Sequence, residues 1–259
     1  MRMMKKVLGT VTVLALSVSL LAGCGSTAAS PVSSAASTAA ESTTSSVVSE
    51  TTSAAADENA AAAAQLLNDL TGSYQELWPV ILADEYQQTW LDDCTALVGE
   101  ENAEAAFEKL SSMVTGDVYG EDAVEAYANG GGAYFCGFTN DLATLTFDGE
   151  TSTISGTDKD GNKLFSHTYH YIGMEPVRGL YEFESDDADS GEFTYFFLAP
   201  DTSAETYHIE FRYGSDVDAL SQYDAGDYAY WLASGISTDC DQTMIDNCIE
   251  LFCTENLAG

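Results

Sequence analysis

The stretch from Leu142 to Ile172 reads LATLTFDGETSTISGTDKDGNKLFSHTYHYI, and in it short segments of alternating apolar and polar residues follow one another. Asp148-Gly149 and Asp160-Gly161-Asn162 separate these segments, and such pairs are typical of tight turns between antiparallel strands. An alternation with a period of two turns one face of each strand toward a core and the other toward solvent. The stretch therefore predicts a meander of antiparallel strands.

The same pattern continues on both sides of this stretch. Strands are predicted at 133–138, 142–148, 151–156, 164–172, 177–184, 193–198 and 206–213. Apolar residues with helical spacing predict helices at 57–72, at 74–97 with an interruption at Pro79, at 103–113, at 227–233 and at 238–253. Closely spaced antiparallel strands of this kind form a meander that closes into a barrel or a strongly bent sheet. The predicted fold class is α+β, mainly β.

The first residues have the pattern of an export signal. Arg2, Lys5 and Lys6 precede an apolar run that ends in Leu21-Ala22-Gly23-Cys24. The apolar run is of the length found in secretory signals rather than in membrane spans. The last four residues resemble the lipobox of bacterial lipoproteins. The resemblance implies that 1–23 is a signal peptide and that acylated Cys24 anchors the exported chain to the outer face of the bacterial cell membrane. The alternative is an ordinary cleaved signal with an unmodified cysteine.

Residues 24–56 consist of this cysteine and a low-complexity stretch of Ser, Thr and Ala. A stretch of this composition cannot bury enough apolar area to offset its chain entropy, so it is predicted to be a disordered tether. The folded domain is predicted to span 57–259. No second transmembrane segment is predicted.

The charge balance excludes two classes of partner. The chain has 8 Lys and Arg against 42 Asp and Glu, a formal net charge of −34. Removal of the leader takes away three basic residues and no acidic residue, which leaves −37. Binding to nucleic acid or docking on anionic lipid needs a basic surface, so neither is expected.

Five cysteines follow Cys24, namely Cys94, Cys136, Cys240, Cys248 and Cys253. Export permits disulfides, and an odd number leaves at least one thiol unpaired. The sequence leaves two bridges open, Cys240–Cys248 and Cys94–Cys136. Cys248 lies on the apolar face of the predicted last helix, which favours a small buried residue.

The motifs of common enzyme classes do not occur in the sequence. GxSxG, HExxH, GxxxxGK[ST] and a GxGxxG before a helix are all missing, and three histidines provide few general bases. With 42 acidic residues, no single pair of carboxylates is informative. The chain is predicted not to be an enzyme.

The histidines differ in what they can bind. His167 and His170 are three residues apart, so a strand would point them to opposite faces. His208 and Glu210 are two residues apart, so a strand would place an imidazole and a carboxylate on one face, where they could share a cation. The segment 158–162 resembles a calcium loop, but its glycine is at the fourth position rather than the sixth, which favours a hairpin turn.

Several segments together resemble the ZinT (YodA) family, whose domain also ends some zinc-uptake lipoproteins. They are LTGSYQELWP from Leu70, VRGLYEFE from Val177, ADSGEFTY from Ala188 and YAYWL from Tyr228. The resemblance covers about residues 66–252 and is clearest after Arg178. It implies a calycin-like or lipocalin-like antiparallel β-barrel with flanking N-terminal and C-terminal helices.

The resemblance also implies a metal site. Family members bind zinc through three histidines, in the motifs SDH and HFH. The second motif falls on His208-Ile209-Glu210, and the first histidine falls on Asp201, or on Phe196 if the gap is placed earlier. The implied ligands are Asp201, His208 and Glu210, with Zn²⁺ as the expected metal. Because carboxylates replace histidines, Mn²⁺ and Ca²⁺ also stay open.

Two functions follow from these expectations. The first is an extracellular, membrane-tethered binder of zinc or another divalent metal that passes the metal to an ABC transporter. The second is a metal-free calycin-like module that binds an envelope partner or a small apolar ligand. Aromatic side chains that could line such a ligand cavity are Tyr134, Phe135, Phe138, Tyr169, Phe196 and Phe197.

Overall fold

The computed structural model describes residues 58–200 and 207–258. The predicted signal peptide, Cys24, the tether and Asp201 lie outside the described residues. None of the helices in the described part has the length and apolar character that a membrane crossing requires.

The described residues contain eight antiparallel strands at the centre of the fold. These are β1 (Gly72–Glu76), β2 (Thr144–Asp148), β3 (Thr153–Thr157), β4 (Lys163–Met174), β5 (Tyr181–Ser185), β6 (Tyr195–Leu198), β7 (Ile209–Gly214) and β8 (Ala233–Ser237). Each strand pairs with the next in sequence, and β8 pairs with β1, so the sheet closes into a barrel. Closure leaves no strand edge open. The predicted calycin-like antiparallel barrel is confirmed.

Helices in the described part flank this barrel. They are α1 (58–69), α2 (Leu77–Ile81), α3 (Gln87–Val98), α4 (Glu100–Ser112), α5 (Glu121–Ala128), α6 (Val217–Leu220) and α7 (Gln242–Leu257). Short 3-10 turns occupy Asp84–Tyr86 and Gly191–Phe193. The predicted N-terminal and C-terminal flanking helices are therefore confirmed, whereas α5 was not predicted.

Aromatic side chains dominate the barrel core. Its fully buried members include Phe147, Phe183, Phe196, Phe211, Tyr213 and Trp231. The Tyr213 hydroxyl donates to the carbonyl of Thr139 over 2.8 Å, so its polar end is satisfied inside the core. Of the six aromatic residues considered as cavity-lining, four are buried members of this core: Phe138, Tyr169, Phe196 and Phe197.

A second core lies among the helices, and we call it the helical cluster. Its buried members include Leu77, Ile81, Trp90, Cys94, Leu110, Ile236, Ile249 and Cys253. The indole of Trp90 donates to the carbonyl of Ile81 over 2.7 Å, which ties α3 to the end of α2. Ile236 belongs to β8, so one wall of the barrel also forms a wall of the helical cluster.

The prediction of a helix starting at Tyr74 is wrong for its first three residues. They belong to β1, where Tyr74 pairs with Leu145 on one side and Ser237 on the other. Pro79 does not interrupt the helix, because it stands in the first turn of α2, where a backbone N–H has no helical partner. The interruption follows at residues 82–86 instead.

The predicted helix at 227–233 and strand at 133–138 are also wrong. Residues 227–230 form a turn that leads into β8, and buried Arg212 donates to the carbonyl of Tyr228. The Tyr228 carbonyl therefore accepts a hydrogen bond from a side chain rather than from the backbone of a helix. Residues 133–138 make only single-residue bridges, from Phe135 to Thr115 and to Trp231. They connect two segments without forming a regular strand.

The turn between β3 and β4 is the predicted hairpin. One carboxylate oxygen of Asp158 accepts from the backbone N–H groups of Asp160 and Asn162, over 2.9 and 2.8 Å. Gly161 adopts a φ of 80°, a left-handed conformation that glycine reaches without steric cost. The side-chain amide of Asn162 also donates to Asp158, over 2.9 Å, and this bond together with the backbone bonds lowers the pKa of the Asp158 carboxyl.

Candidate metal centre

Two of the predicted ligands meet at the start of β7. His208 comes directly before the strand, and Glu210 is its second residue. His208 Nε2 lies 3.9 Å from Glu210 Oε1, whereas Ile209 between them is buried in the barrel core. The two side chains therefore share one face, as the strand period predicts.

The face that carries this pair is turned toward the helices. Ile209, Phe211 and Tyr213 alternate with it and fill the barrel core. Tyr207, just before the pair, packs against the helical cluster and has a left-handed φ of 63°. The pair thus lies at the junction between the barrel wall and the helical cluster.

Two buried thiols neighbour the pair. Cys248 of α7 is a hydrogen-bond partner of His208, and Cys136 lies close enough to Glu210 to sense its charge. Burial, with a smaller contribution from the Glu210 carboxylate, raises the pKa of Cys136 to about 12. Cys136 is therefore a neutral thiol at neutral pH in the metal-free chain.

The imidazole and the carboxylate stabilise each other's charged forms. Burial by itself lowers the pKa of His208, but its hydrogen bonds with Cys248 and Glu210 outweigh burial and raise the pKa well above its ordinary value. Burial by itself raises the pKa of Glu210. The hydrogen bond from His208 and the positive charges of His208 and Arg178 outweigh burial, so the pKa of Glu210 is lower than its ordinary value. The metal-free pair is thus an imidazolium next to a carboxylate.

Arg178 is held in place by its own loop. Its backbone N–H donates over 2.8 Å to Glu175, a fully buried carboxylate that also accepts from the hydroxyl of Tyr223 over 3.3 Å. The Arg178 guanidinium lies 4.6 Å from the centre of the Tyr223 ring. The segment VRGLYEFE, which resembles the family motif, thereby places a fixed positive charge near Glu210.

The third predicted ligand, Asp201, lies outside the described residues, but the ends of its segment are defined. The backbone N–H of Ala199 donates to the carbonyl of Glu210 over 3.0 Å, so the chain leaves β6 beside the pair. Phe196, the other position considered, is a fully buried member of the barrel core and offers no ligand atom.

An imidazole and a carboxylate are ligands that Zn²⁺ accepts. Among residues 58–200 and 207–258, no group of three or more His, Cys, Asp and Glu side chains is arranged to hold an ion. The donor chemistry of His208 and Glu210 fits zinc.

The other two histidines form separate pairs with carboxylates. His167 Nδ1 lies 2.7 Å from Asp187 Oδ2, and His170 Nδ1 lies 2.8 Å from Asp186 Oδ1. Each histidine thus has its own acidic partner in the loop after β5. This arrangement agrees with the prediction that the two do not share one ion.

The sequence did not indicate that Cys136 and Cys248 would neighbour the pair. Its helical period placed Cys248 on an apolar face, and this residue is indeed buried in the helical cluster. A hydrogen bond to His208 follows only from the way α7 docks on the barrel wall. No local pattern encodes such a contact.

The geometry defines a class, namely a closed antiparallel barrel with flanking helices and a His–Glu pair at one wall. No protein-family model and no curated protein sequence matches the chain. Among solved structures, the chain is similar to the Zn(II)-bound ZinT-like domain of AdcA from Streptococcus pneumoniae, with 15% identity and a TM-score of 0.45 over 71% of this chain and 89% of that chain.

The chain is also similar to Zn(II)-bound AdcA from the same organism. The identity is 14% and the TM-score is 0.42, over 70% of this chain and 34% of that chain. The first of these two structures is a ZinT-like domain, the family that the sequence motifs resemble. At these values the similarity does not assign a ligand or a ligand residue to this chain.

Proposed function

We propose that this protein is an exported divalent-metal binder, anchored to the cell surface through lipidated Cys24, that takes up Zn²⁺ through Asp201, His208 and Glu210. In this proposal it delivers the ion to a metal ABC transporter. The metal is its cargo, and binding rather than catalysis is its activity.

The observation that carries the proposal is the His208–Glu210 pair. His208 Nε2 and Glu210 Oε1 are 3.9 Å apart, and a zinc ion bound by both atoms would contact each at about 2.0–2.2 Å. Glu210 keeps 44% of its side-chain exposure, so an ion has access to the pair from solvent.

The charge of the chain supports capture of cations. The predicted mature chain carries a net charge of −37, which raises the concentration of cations close to its surface. Salt screens this attraction beyond about 8–10 Å. The surface charge therefore supports the rate of capture, and the ligands supply the affinity.

Zinc has to displace a proton from His208. The raised pKa of the imidazole means that the nitrogen is protonated in the metal-free chain, and only the neutral imidazole is a ligand. Acidification therefore favours release of the ion. Glu210 needs no such step, because its lowered pKa leaves it ionised.

Zinc titration of the full chain tests the proposal. Isothermal calorimetry should give one ion per chain for the wild type, and His208→Ala should lower the affinity at least about tenfold, as expected for loss of a ligand. His170→Ala is the matched control, because this histidine also contacts carboxylates but lies away from β7. It should leave the affinity unchanged.

The set of ligands is tested in the same way. Asp201→Ala and Glu210→Ala should each weaken binding, and elemental analysis of the purified chain should find zinc in the wild type. If His208→Ala and His170→Ala bind zinc equally well, the ion is held elsewhere on the acidic surface and the proposed site is wrong.

A second function rests on a cavity rather than on the pair. A cavity of about 340 Å³ lies beside α2, and its lining includes Trp78, Leu82, Phe135 and Cys136. Its size is at the lower end for small-molecule sites. The barrel core is filled with aromatic side chains, so a small apolar ligand would bind in this cavity rather than inside the barrel.

Tryptophan fluorescence separates the two functions, because Trp78 lines the cavity. A saturable change on addition of a lipophile, with no response to zinc, supports the apolar-ligand module. A response to zinc that depends on His208 supports the metal binder.

A further inference from the structure

Two buried thiols contact each other within the helical cluster. Cys94 lies in α3 and Cys253 in α7, and their Sγ atoms are 3.9 Å apart. Both residues are completely buried, with 0% exposure. They are 159 positions apart in sequence, and α3 packs against α7 along this contact. Cys94 thus contacts Cys253, whereas the sequence left open a bridge to Cys136, and for Cys253 the sequence suggested no partner.

The surroundings of the pair narrow its role. Trp90 and Ile249 are fully buried members of the same cluster. Burial raises the pKa of both thiols, so neither is a reactive thiolate in the folded chain. No group of three metal-ligating side chains forms around the two sulfurs in the described residues. Two roles remain for these thiols. Either they only fill space in the helical cluster, or they are the reduced form of a disulfide.

We propose that Cys94 and Cys253 form an intramolecular disulfide when the chain folds in an oxidising compartment. To form the bond, the two sulfurs have to approach from 3.9 Å to about 2.05 Å. In this structure the five cysteines of the described residues are free thiols.

The bond forms by exchange with a disulfide oxidant such as oxidised glutathione. One deprotonated cysteine sulfur attacks the oxidant, forms a mixed disulfide and releases one glutathione thiolate. The second cysteine sulfur, also deprotonated, attacks the mixed disulfide and releases the other glutathione thiolate. The two protons from the cysteines pass to the two glutathione thiolates, and the protein loses the two electrons that the oxidant gains. Because both sulfurs are buried in the finished fold, the exchange precedes the docking of α7 on α3.

The bond would join the last helix to α3 and would close a loop that contains strands β2 to β8. Such a link lowers the conformational entropy of the unfolded chain, and long loops gain most in this model. For a chain of this size, we expect the oxidised form to melt about 5–15 °C higher than the reduced form. This effect does not require metal.

Thiol mapping of the full-length chain tests the proposal. The chain is refolded in a buffer of oxidised and reduced glutathione, quenched with acid, denatured and alkylated, and its peptides are analysed by mass spectrometry. Of the six cysteines, Cys94 and Cys253 should appear in linked peptides and the other four should be alkylated. Alkylation of all six, or a bond between other cysteines, would overturn the proposal.

Thermal melting supplies the second readout. The wild type refolded with a phosphine reductant should melt at a lower temperature than the wild type refolded with oxidised glutathione, and Cys94→Ser and Cys253→Ser should each melt alike after the two treatments. Cys240→Ser is the matched control and should respond like the wild type. The wild-type comparison needs no variant, so a variant that fails to fold does not weaken the test. Equal melting temperatures with and without reductant would contradict the disulfide.

Discussion

The barrel core and the helical cluster bury apolar surface in different ways. The barrel core is built from large aromatic side chains that alternate along strands, such as Phe211 and Tyr213 on β7. In the helical cluster the buried residues other than Trp90 are aliphatic or small, such as Ala103 and Cys94, and the aromatic partners of Trp90, Phe107 and Phe252, are only partly buried. Alternation of apolar and polar residues identifies a strand in the sequence. Small residues allow helices to pack closely, but they do not indicate which helix packs against which.

The junction of the two regions carries the unusual chemistry. His208 and Glu210 stand on the side of β7 that faces away from the barrel core, and Cys248 reaches them from α7. Charged groups at such a place need partners, because an unpaired buried charge is costly. The candidate site therefore arises only where the barrel wall and the helical cluster meet.

The largest effect is expected from removing the central tryptophan of either region. Trp231→Ala and Trp90→Ala should each lower the free energy of unfolding by about 3–5 kcal/mol, because both side chains are fully buried. Guanidinium denaturation followed by circular dichroism measures the loss. Each variant should unfold in one transition if the two cores fold together.

The matched control for these variants is Leu97→Ala, because this side chain on α3 is 38% exposed. Its loss should be clearly smaller than that of Trp90→Ala. Two separate transitions in Trp90→Ala would show that the barrel and the helical cluster are independent, and the comparison would then describe two folding units.

Binding of zinc at the junction should stabilise the chain. At a free zinc concentration one hundred times the dissociation constant, the gain is about 2.7 kcal/mol, which raises the melting temperature by roughly 5–10 °C. Glu210→Gln should reduce this shift, and Glu184→Gln, an exposed carboxylate on β5, should retain it. If zinc raised the melting temperature of Glu210→Gln as much as that of the wild type, zinc would not bind at the junction.

The metal-free junction should make stability depend on pH. Because the pKa of His208 is raised on folding, its ionisation stabilises the folded chain. This stabilisation is complete below the unfolded-state pKa near 6.5 and is lost as the pH rises through the folded-state pKa. Because the pKa of Glu210 is lowered on folding, its ionisation also stabilises the folded chain. This stabilisation is complete above the unfolded-state pKa near 4.5 and is lost as the pH falls through the folded-state pKa. Both contributions are complete between about pH 4.5 and 6.5.

Urea denaturation at several pH values measures this dependence. His208→Gln should remove the loss of stability on the alkaline side, and His170→Gln should retain it. The same alkaline loss in His208→Gln and the wild type would mean that the pair is not ionised in the way that its contacts indicate.

The smallest effect is expected in a turn of the barrel. Gly161→Ala should cost about 1 kcal/mol, because Gly161 has a φ of 80° and no other atom lies near the added methyl group. Lys159→Ala in the same turn should change stability by less than about 0.5 kcal/mol. A neutral Gly161→Ala would show that this turn does not need a left-handed residue.

The sequence predicted the central strands better than those that close the barrel. β2, β3 and β4 alternate and are separated by Asp-Gly turns, so local chemistry suffices to identify them. β8 is buried at each of its first four residues, Ala233 to Ile236, and therefore shows no alternation. β1 runs directly into α2 without a turn residue, so its last three residues, from Tyr74 to Glu76, were predicted as the start of a helix.

The sequence by itself determined the antiparallel meander, the hairpin at Asp158 and the shared face of His208 and Glu210, because each depends on neighbours within a few residues. Only the tertiary structure decided that β1 closes the barrel against β8, that Cys248 contacts His208 and that Cys94 contacts Cys253. These contacts join distant segments, and they form only when the packing of both cores brings α7 onto the barrel wall and α3.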